Sequence, residues 1–214
     1  MRADKQTVLI FIIILFHVVG LAGFATDALQ PLFLQIVPFH LLLMLLLVCI
    51  SHQDINPRFL LLLIIVPLTG FGAEWLGVHK HLLFGNYVYG QTLGYKWRDV
   101  PVIIGFNWFL LVYATGTLMQ KIPMHSMVAR VVTGAFMMTM LDIFIEPAAV
   151  RFDYWHWTVA GEYLTAPVSN YLSWFVVSAV MLLAFEACRF KKQNAVGGVL
   201  LLAQFVFFIL LNWI

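Results

Sequence analysis

Asp142 and Glu146 stand four residues apart inside one apolar stretch, and Glu74 stands inside another. Burying a charge in hydrocarbon is costly, so an intramembrane acid marks a functional candidate by default. Residues i and i+4 share a helix face. Two carboxyl groups that close in low dielectric cannot both ionise cheaply, so one keeps its proton beside a neighbour able to accept one. General acid–base chemistry needs that arrangement. Asn107 and Trp108 fall at similar depth in a third stretch, and Asn170 and Trp174 in a fourth.

The histidines point to less. His17 and His40 lie near the middle of the first two apolar stretches, where a histidine is usually a satisfied hydrogen-bonding group. His17 is nonetheless kept as a substrate-contact candidate. Helical metal sites want histidines at i, i+3 or i, i+4, and none of the seven is so spaced. No metal is therefore expected, and a membrane di-iron oxygenase is disfavoured. A retinal-type Schiff base also fails, because the last apolar stretch has no lysine.

Seven transmembrane helices must position these groups. The apolar stretches run approximately 7–25, 29–50, 57–79, 101–119, 127–149, 168–188 and 195–213. Each is near the ~20 residues that cross a bilayer. The composition agrees: the 214 residues are 63% hydrophobic and 10% charged. Such a chain cannot cover a soluble surface with charge, nor stay disordered. A net charge of +2 without a basic cluster disfavours nucleic acid as a partner. The expectation is one all-α polytopic bundle over 1–214. The first stretch is too long for a signal-peptide core and reads as a retained helix. Cys49 and Cys188 sit at span ends and read as packing residues.

Lys and Arg set the expected orientation. Arg2, Lys5, Arg58, Lys121, Arg130, Arg189, Lys191 and Lys192 share one side; Lys80, Lys96, Arg98 and Arg151 share the other. This places the N-terminus inside and the C-terminus outside. At 1.5 Å per residue, Glu74, Asp142 and Glu146 then lie within roughly 5–11 Å of the outer boundary. Seven of the ten acids fall at or above the outer third, Glu162 among them. Glu186, on the inner side three residues from Arg189, reads as a solvated cap with that arginine.

Two long outer loops hang over the acids. Loop 80–100 carries Phe84, Tyr87, Tyr89, Tyr95 and Trp97; loop 150–167 carries Tyr154, Trp155, Trp157 and Tyr163. An interfacial aromatic belt should be two-sided, and the inner loops are nearly free of aromatics. A lid or binding wall competes evenly with the belt. The two segments also resemble each other. Glu74, Gly85, Tyr87, Pro101, Asn107 and Trp108 run parallel to Glu146, Gly161, Tyr163, Pro167, Asn170 and Trp174. Spans 3–4 and 5–6 are thus expected to be a degenerate repeat that sets Glu74 opposite Glu146.

Several of these residues also carry a family likeness. The residues are Phe16-His17-Val18-Val19-Gly20, Glu74-Trp75-Leu76-Gly77-Val78, Phe84-Gly85-Asn86-Tyr87-Val88-Tyr89, Leu93-Gly94 and Val100-Pro101. Leu141-Asp142, Glu146-Pro147-Ala148, Trp155, Trp157, Pro167, Asn170 and Trp174 complete them. Together they resemble the membrane-integral carotenoid 1,2-hydratase family, which includes bisanhydrobacterioruberin hydratases. The family pattern often has Asp where Glu146 stands, and Thr-Gly where this chain has His79-Lys80. The resemblance implies addition of water across the terminal C=C bond of an acyclic carotenoid end group, leaving a tertiary alcohol. It implies substrates such as γ-carotene or lycopene, no metal or organic cofactor, a bacterial cytoplasmic membrane setting, and association with other carotenoid-pathway enzymes.

The residue roles rest on physical reasoning at the matching positions. Asp142, the deepest acid, is expected to donate the proton, with Glu146 or Glu74 holding the water. Trp108, Trp155, Trp157, Trp174 and Tyr87 are expected to face the cation, with Tyr89 in the same wall. Asn107 and Asn170 are expected to orient water and carboxylates. Two rivals stay open. A membrane-integral lycopene cyclase shares the protonation step but excludes water. A transporter would need polar groups through both membrane halves.

Overall fold

The computed structural model describes residues 4–159 and 164–214, and seven helices dominate it. They are α1 (Lys5–Phe24), α2 (Gln30–Ser51), α3 (Pro57–Lys80), α4 (Val102–Met119), α5 (Met127–Arg151), α6 (Val168–Ala187) and α7 (Val196–Leu211). The first six are long and apolar enough to cross a membrane; α7, at 16 residues, is shorter. Arg2, Gly161, Glu162 and Tyr163, used in the sequence reading, lie outside the described residues.

Local chemistry sets the helix starts. Asp4 caps α1 by accepting from the Gln6 N–H, and Ser126 caps α5 by accepting from the Ala129 N–H. Asn56 accepts from the Arg58 and Phe59 N–H groups, with Pro57 at the first helical position of α3. Pro31, the second residue of α2, falls in its first turn, where a missing N–H costs nothing. Each cap satisfies donors that would otherwise be orphaned at a helix N-terminus.

α4 is the central helix, packed against α2, α3, α5, α6 and α7. Nearly every position from Trp108 to Thr117 is buried, small and large alike. A helix apolar on all sides is what a fully enclosed position requires. Gly105 and Gly134 allow close helix packing: a Cβ on Gly105 would lie 2.5 Å from the Pro67 carbonyl, and one on Gly134 would lie 2.9 Å from Leu182. Gly72, by contrast, faces open space.

The two ends of the bundle are tied differently. At one end, polar side chains join connecting segments: Gln193 accepts from the Gln53 N–H, and Gln120 accepts from the Gln193 N–H. The Arg130 guanidinium forks onto Glu186 here, with Nε at 2.8 Å and Nη2 at 2.7 Å. This corrects the expected Glu186–Arg189 cap, since the partner comes from a neighbouring helix rather than the next turn. Cys49 and Cys188 are half-buried free thiols.

The other end carries a lid of short strands. β1 (Tyr87–Tyr89) pairs antiparallel with β4 (Trp155–Trp157), in the register Tyr87–Trp157, Val88–His156, Tyr89–Trp155. β2 (Lys96–Trp97) pairs with β3 (Val100–Pro101). Side chains alternate across a strand. Tyr87, Tyr89, Trp155 and Trp157 therefore face the bundle, while Val88 and His156 face away. Asp153 pins the lid, accepting from the Gln91 N–H at 2.8 Å and contacting His156 Nε2 at 2.6 Å. The Gln91 N–H, then the His156 ring, hold the Asp153 carboxyl below the usual carboxylate range.

Candidate active site

Beneath the lid, α3 presents Glu74 and α5 presents Glu146, each inside a cage of hydrogen-bond donors. Glu74 Oε2 accepts from the Tyr87 hydroxyl at 2.5 Å and the Tyr89 hydroxyl at 2.7 Å, and Oε1 accepts from Trp108 Nε1 at 2.9 Å. Glu146 Oε2 accepts from Trp157 Nε1 at 2.8 Å and Trp155 Nε1 at 3.2 Å, and Oε1 accepts from Asn170 Nδ2 at 3.2 Å. Both carboxyl groups are almost wholly buried. A buried polar group is costly unless it is hydrogen-bonded, and here each oxygen has a partner.

The two cages are built alike. A carboxylate from the helix before the lid receives two donors from a lid strand and one from the helix after it. The pairing of β1 with β4 brings the two sets side by side. The strand pair answering Tyr87 and Tyr89 is Trp155 and Trp157, whereas the expected repeat sets Tyr87 against Tyr163, which lies outside the described residues. Trp108 and Trp174, another pair matched in that repeat, stack with ring centroids 4.3 Å apart.

Two glycines make room for the Glu74 cage. A Cβ on Gly70 would lie 2.7 Å from the Trp108 side chain, and one on Gly77 would lie 2.6 Å from the Tyr87 hydroxyl. Only a residue without Cβ lets both donors reach Glu74 from these sides. Burial, then the adjoining Glu74 carboxyl, pushes both lid phenols above their ordinary range. Tyr87 and Tyr89 therefore stay protonated and remain available as donors.

Both glutamates open onto one cavity of about 460 Å³. That volume lies within the usual size of small-molecule sites. Asn107, Trp108, Asn170, Trp174, Trp155, Trp157, Tyr87, Tyr89 and His17 line it too. His17 stands at the far end from the lid, with His40 and Gln204. Exposed Phe16 and Val19 of α1 and Ile36 and Phe39 of α2 form part of the wall, so the cavity opens sideways at the α1–α2 edge. Tyr154, just before β4, also lines the cavity. For the lid rings themselves the sequence signal is the Tyr-x-Tyr and Trp-x-Trp spacing, whose period of two marks strands turning every second ring inward.

Asp142 is placed differently from the other candidates. It is fully buried and does not line the cavity. Its Oδ2 accepts from Asn170 Nδ2 at 2.7 Å, while Oδ1 has no partner among the described residues. The Asn170 amide thus spends both N–H groups on the two acids of α5, one each. Asp142 stands behind Glu146 and reaches the cavity only through Asn170 and Glu146.

A family model described as carotenoid biosynthesis protein matches residues 32–214. No curated protein and no solved structure matches the chain.

Proposed function

The chain belongs to the carotenoid biosynthesis protein family, and from that premise we propose that it hydrates the terminal C1=C2 bond of an acyclic carotenoid end group. The observation that carries the reading is a pair of donor-caged glutamates facing one aromatic cavity that opens sideways. An apolar rod dissolved in the bilayer can insert its end group through such an opening.

The donor types divide the labour between the two acids. Indole N–H groups only donate. Both contacts to Glu146 Oε2 are indoles, so a proton on Glu146 rides on Oε1. Two adjacent buried carboxyls do not both ionise, so the α5 pair keeps a proton, and of the two only Glu146 faces the cavity. Glu146 is therefore the proposed acid that protonates carbon 2, in place of the deeper Asp142, which has no cavity face. Asp142 and Asn170 act as positioning residues.

The tertiary cation at carbon 1 then lies among the faces of Trp108, Trp174, Trp155, Trp157 and Tyr87. Cation–π attraction is worth up to about 2 kcal/mol when desolvated. Glu74, held in place by three donors, is the proposed base that accepts a proton from the water as its oxygen bonds to carbon 1. Asn107 lines the cavity beside Trp108 and holds that water. The sum is one water added; the proton gained by Glu74 returns to Glu146 between turnovers.

Expression in a host accumulating lycopene or γ-carotene tests the reading. Pigment heavier by one water supports it. Pigment of unchanged mass with a new ring would assign cyclisation instead.

A further inference from the structure

The end of the cavity away from the lid holds polar groups that acid–base chemistry does not use. His17 Nδ1 lies 2.8 Å from the Ile13 carbonyl, which can only accept, so Nδ1 carries the hydrogen. The neutral ring then has a bare acceptor at Nε2, with no partner among the described residues. His40 meets His17 edge-on, ring centroids 5.0 Å apart. Gln204 lies one helical turn from Phe207, whose ring also meets His17 edge-on at 5.9 Å. All four line the cavity. His17 is 8% exposed and Gln204 is 7% exposed, and Gln204 Oε1 is buried without a partner.

Buried polar groups are nearly always hydrogen-bonded, to protein or to something bound. The group that fits here must donate to the His17 Nε2 acceptor and satisfy an amide that offers both an acceptor and donors. A hydroxyl does both, whichever way the amide is turned. Neither a carbonyl nor a deprotonated anion could donate to His17. Around these groups stand Phe16, Met44, Phe207 and Phe208, which offer nothing polar.

We propose that His17, His40 and Gln204 form a hydroxyl-binding station, separate from the carboxylate pair and lying where the cavity opens to lipid. Phe16 and Phe39, the sequence neighbours of His17 and His40, form part of that mouth. A chain leaving the cavity passes the station. The hydroxyl is either one borne partway along an isoprenoid chain or a resident water. The inference deepens the hydratase reading, since it adds a second recognition point to the same cavity, but it is read out by binding and not by turnover.

The test uses the full chain in lipid nanodiscs, with Gln204→Met and His17→Phe as variants that keep bulk and lose the polar atoms. The probes are linear polyenes that quench cavity tryptophans, one a hydrocarbon and the others carrying a single hydroxyl at successive positions. If the chain supplies the hydroxyl, one position tightens Kd about tenfold over the hydrocarbon, equal to about 1.4 kcal/mol. Either variant removes that preference, bringing the ratio of the hydrocarbon Kd to the alcohol Kd down to about one. If water supplies it, no alcohol is preferred, and nitrogen-15 solid-state NMR detects magnetisation transfer from water to His17 Nε2, abolished in Gln204→Met. Absence of both the alcohol preference and the water transfer overturns the station, whatever the pigment assay shows.

Discussion

At the scale of single residues, two glutamates with different donors around them are expected to behave differently when neutralised. Glu146→Gln keeps an acceptor for the two indoles but cannot give up a proton. Turnover should fall at least about 100-fold, the usual lower bound for removing a general acid, with expression and lid fluorescence unchanged. Glu74→Gln should also lose hydration, but with a different product trace, because protonation still occurs and water capture fails. In heavy water it should yield starting alkene carrying deuterium. Tyr89→Phe removes one donor from Glu74 Oε2 and leaves the carboxyl short of a hydrogen bond, a change worth about 1–3 kcal/mol in a buried site. Thermal unfolding in detergent should show a lowered Tm. The acid layer itself was legible in the sequence because a chain with 10% charge rarely places acids inside apolar spans. The order of the acids was not. Depth along a helix follows from counting residues, but which carboxyl meets the cavity depends on how α5 packs against α6. That packing put Asn170 between Asp142 and the open space.

At the scale of elements, the lid strands decide whether the cages form. A Cβ added by Gly77→Ala would meet the Tyr87 hydroxyl, so β1 must shift. Overpacking of this kind costs about 1–3 kcal/mol. Scanning calorimetry should show the loss, and Gly72→Ala, which meets open space, should not. The Asp153 clasp gives the lid a pH response. Its carboxyl is held low in the folded chain, so its contribution is complete above the unfolded carboxylate value of about 3.9 and is lost as pH falls through the lowered folded value. Amide exchange at Gln91 should therefore accelerate below about pH 4, and Asp153→Asn should make it fast and nearly pH-independent once intrinsic exchange is divided out. The spans were legible to within a few residues: 57–79 against Pro57–Lys80, and 127–149 against Met127–Arg151. Hydropathy over some twenty residues averages out local exceptions. The lid strands, two or three residues each, offer no such average, and their pairing joins residues about seventy positions apart. Arg130 and Glu186 escaped for the same reason, since their bond links two helices and not one turn.

At the scale of the whole molecule, the bundle has two chemically distinct ends and one sideways opening. Polar cross-links tie one end; the other holds the carboxylates beneath an aromatic roof. On the proposed reading, a substrate arriving from lipid passes between α1 and α2. Attaching a bulky thiol reagent to Phe39→Cys, at the mouth, should raise KM several-fold while kcat changes little, because the glutamates proposed to do the chemistry lie under the lid. The same reagent on Val128→Cys, exposed elsewhere on the bundle, should change neither. The claim that joins the scales is that the two caged glutamates add water to an alkene. The most direct measurement is mass analysis of the product formed from an acyclic carotenoid by the purified protein in oxygen-18 water. The expected result is an alcohol carrying one heavy oxygen with the native chain, and none with Glu146→Gln. Product without heavy oxygen, or a cyclic isomer of unchanged mass, would contradict it.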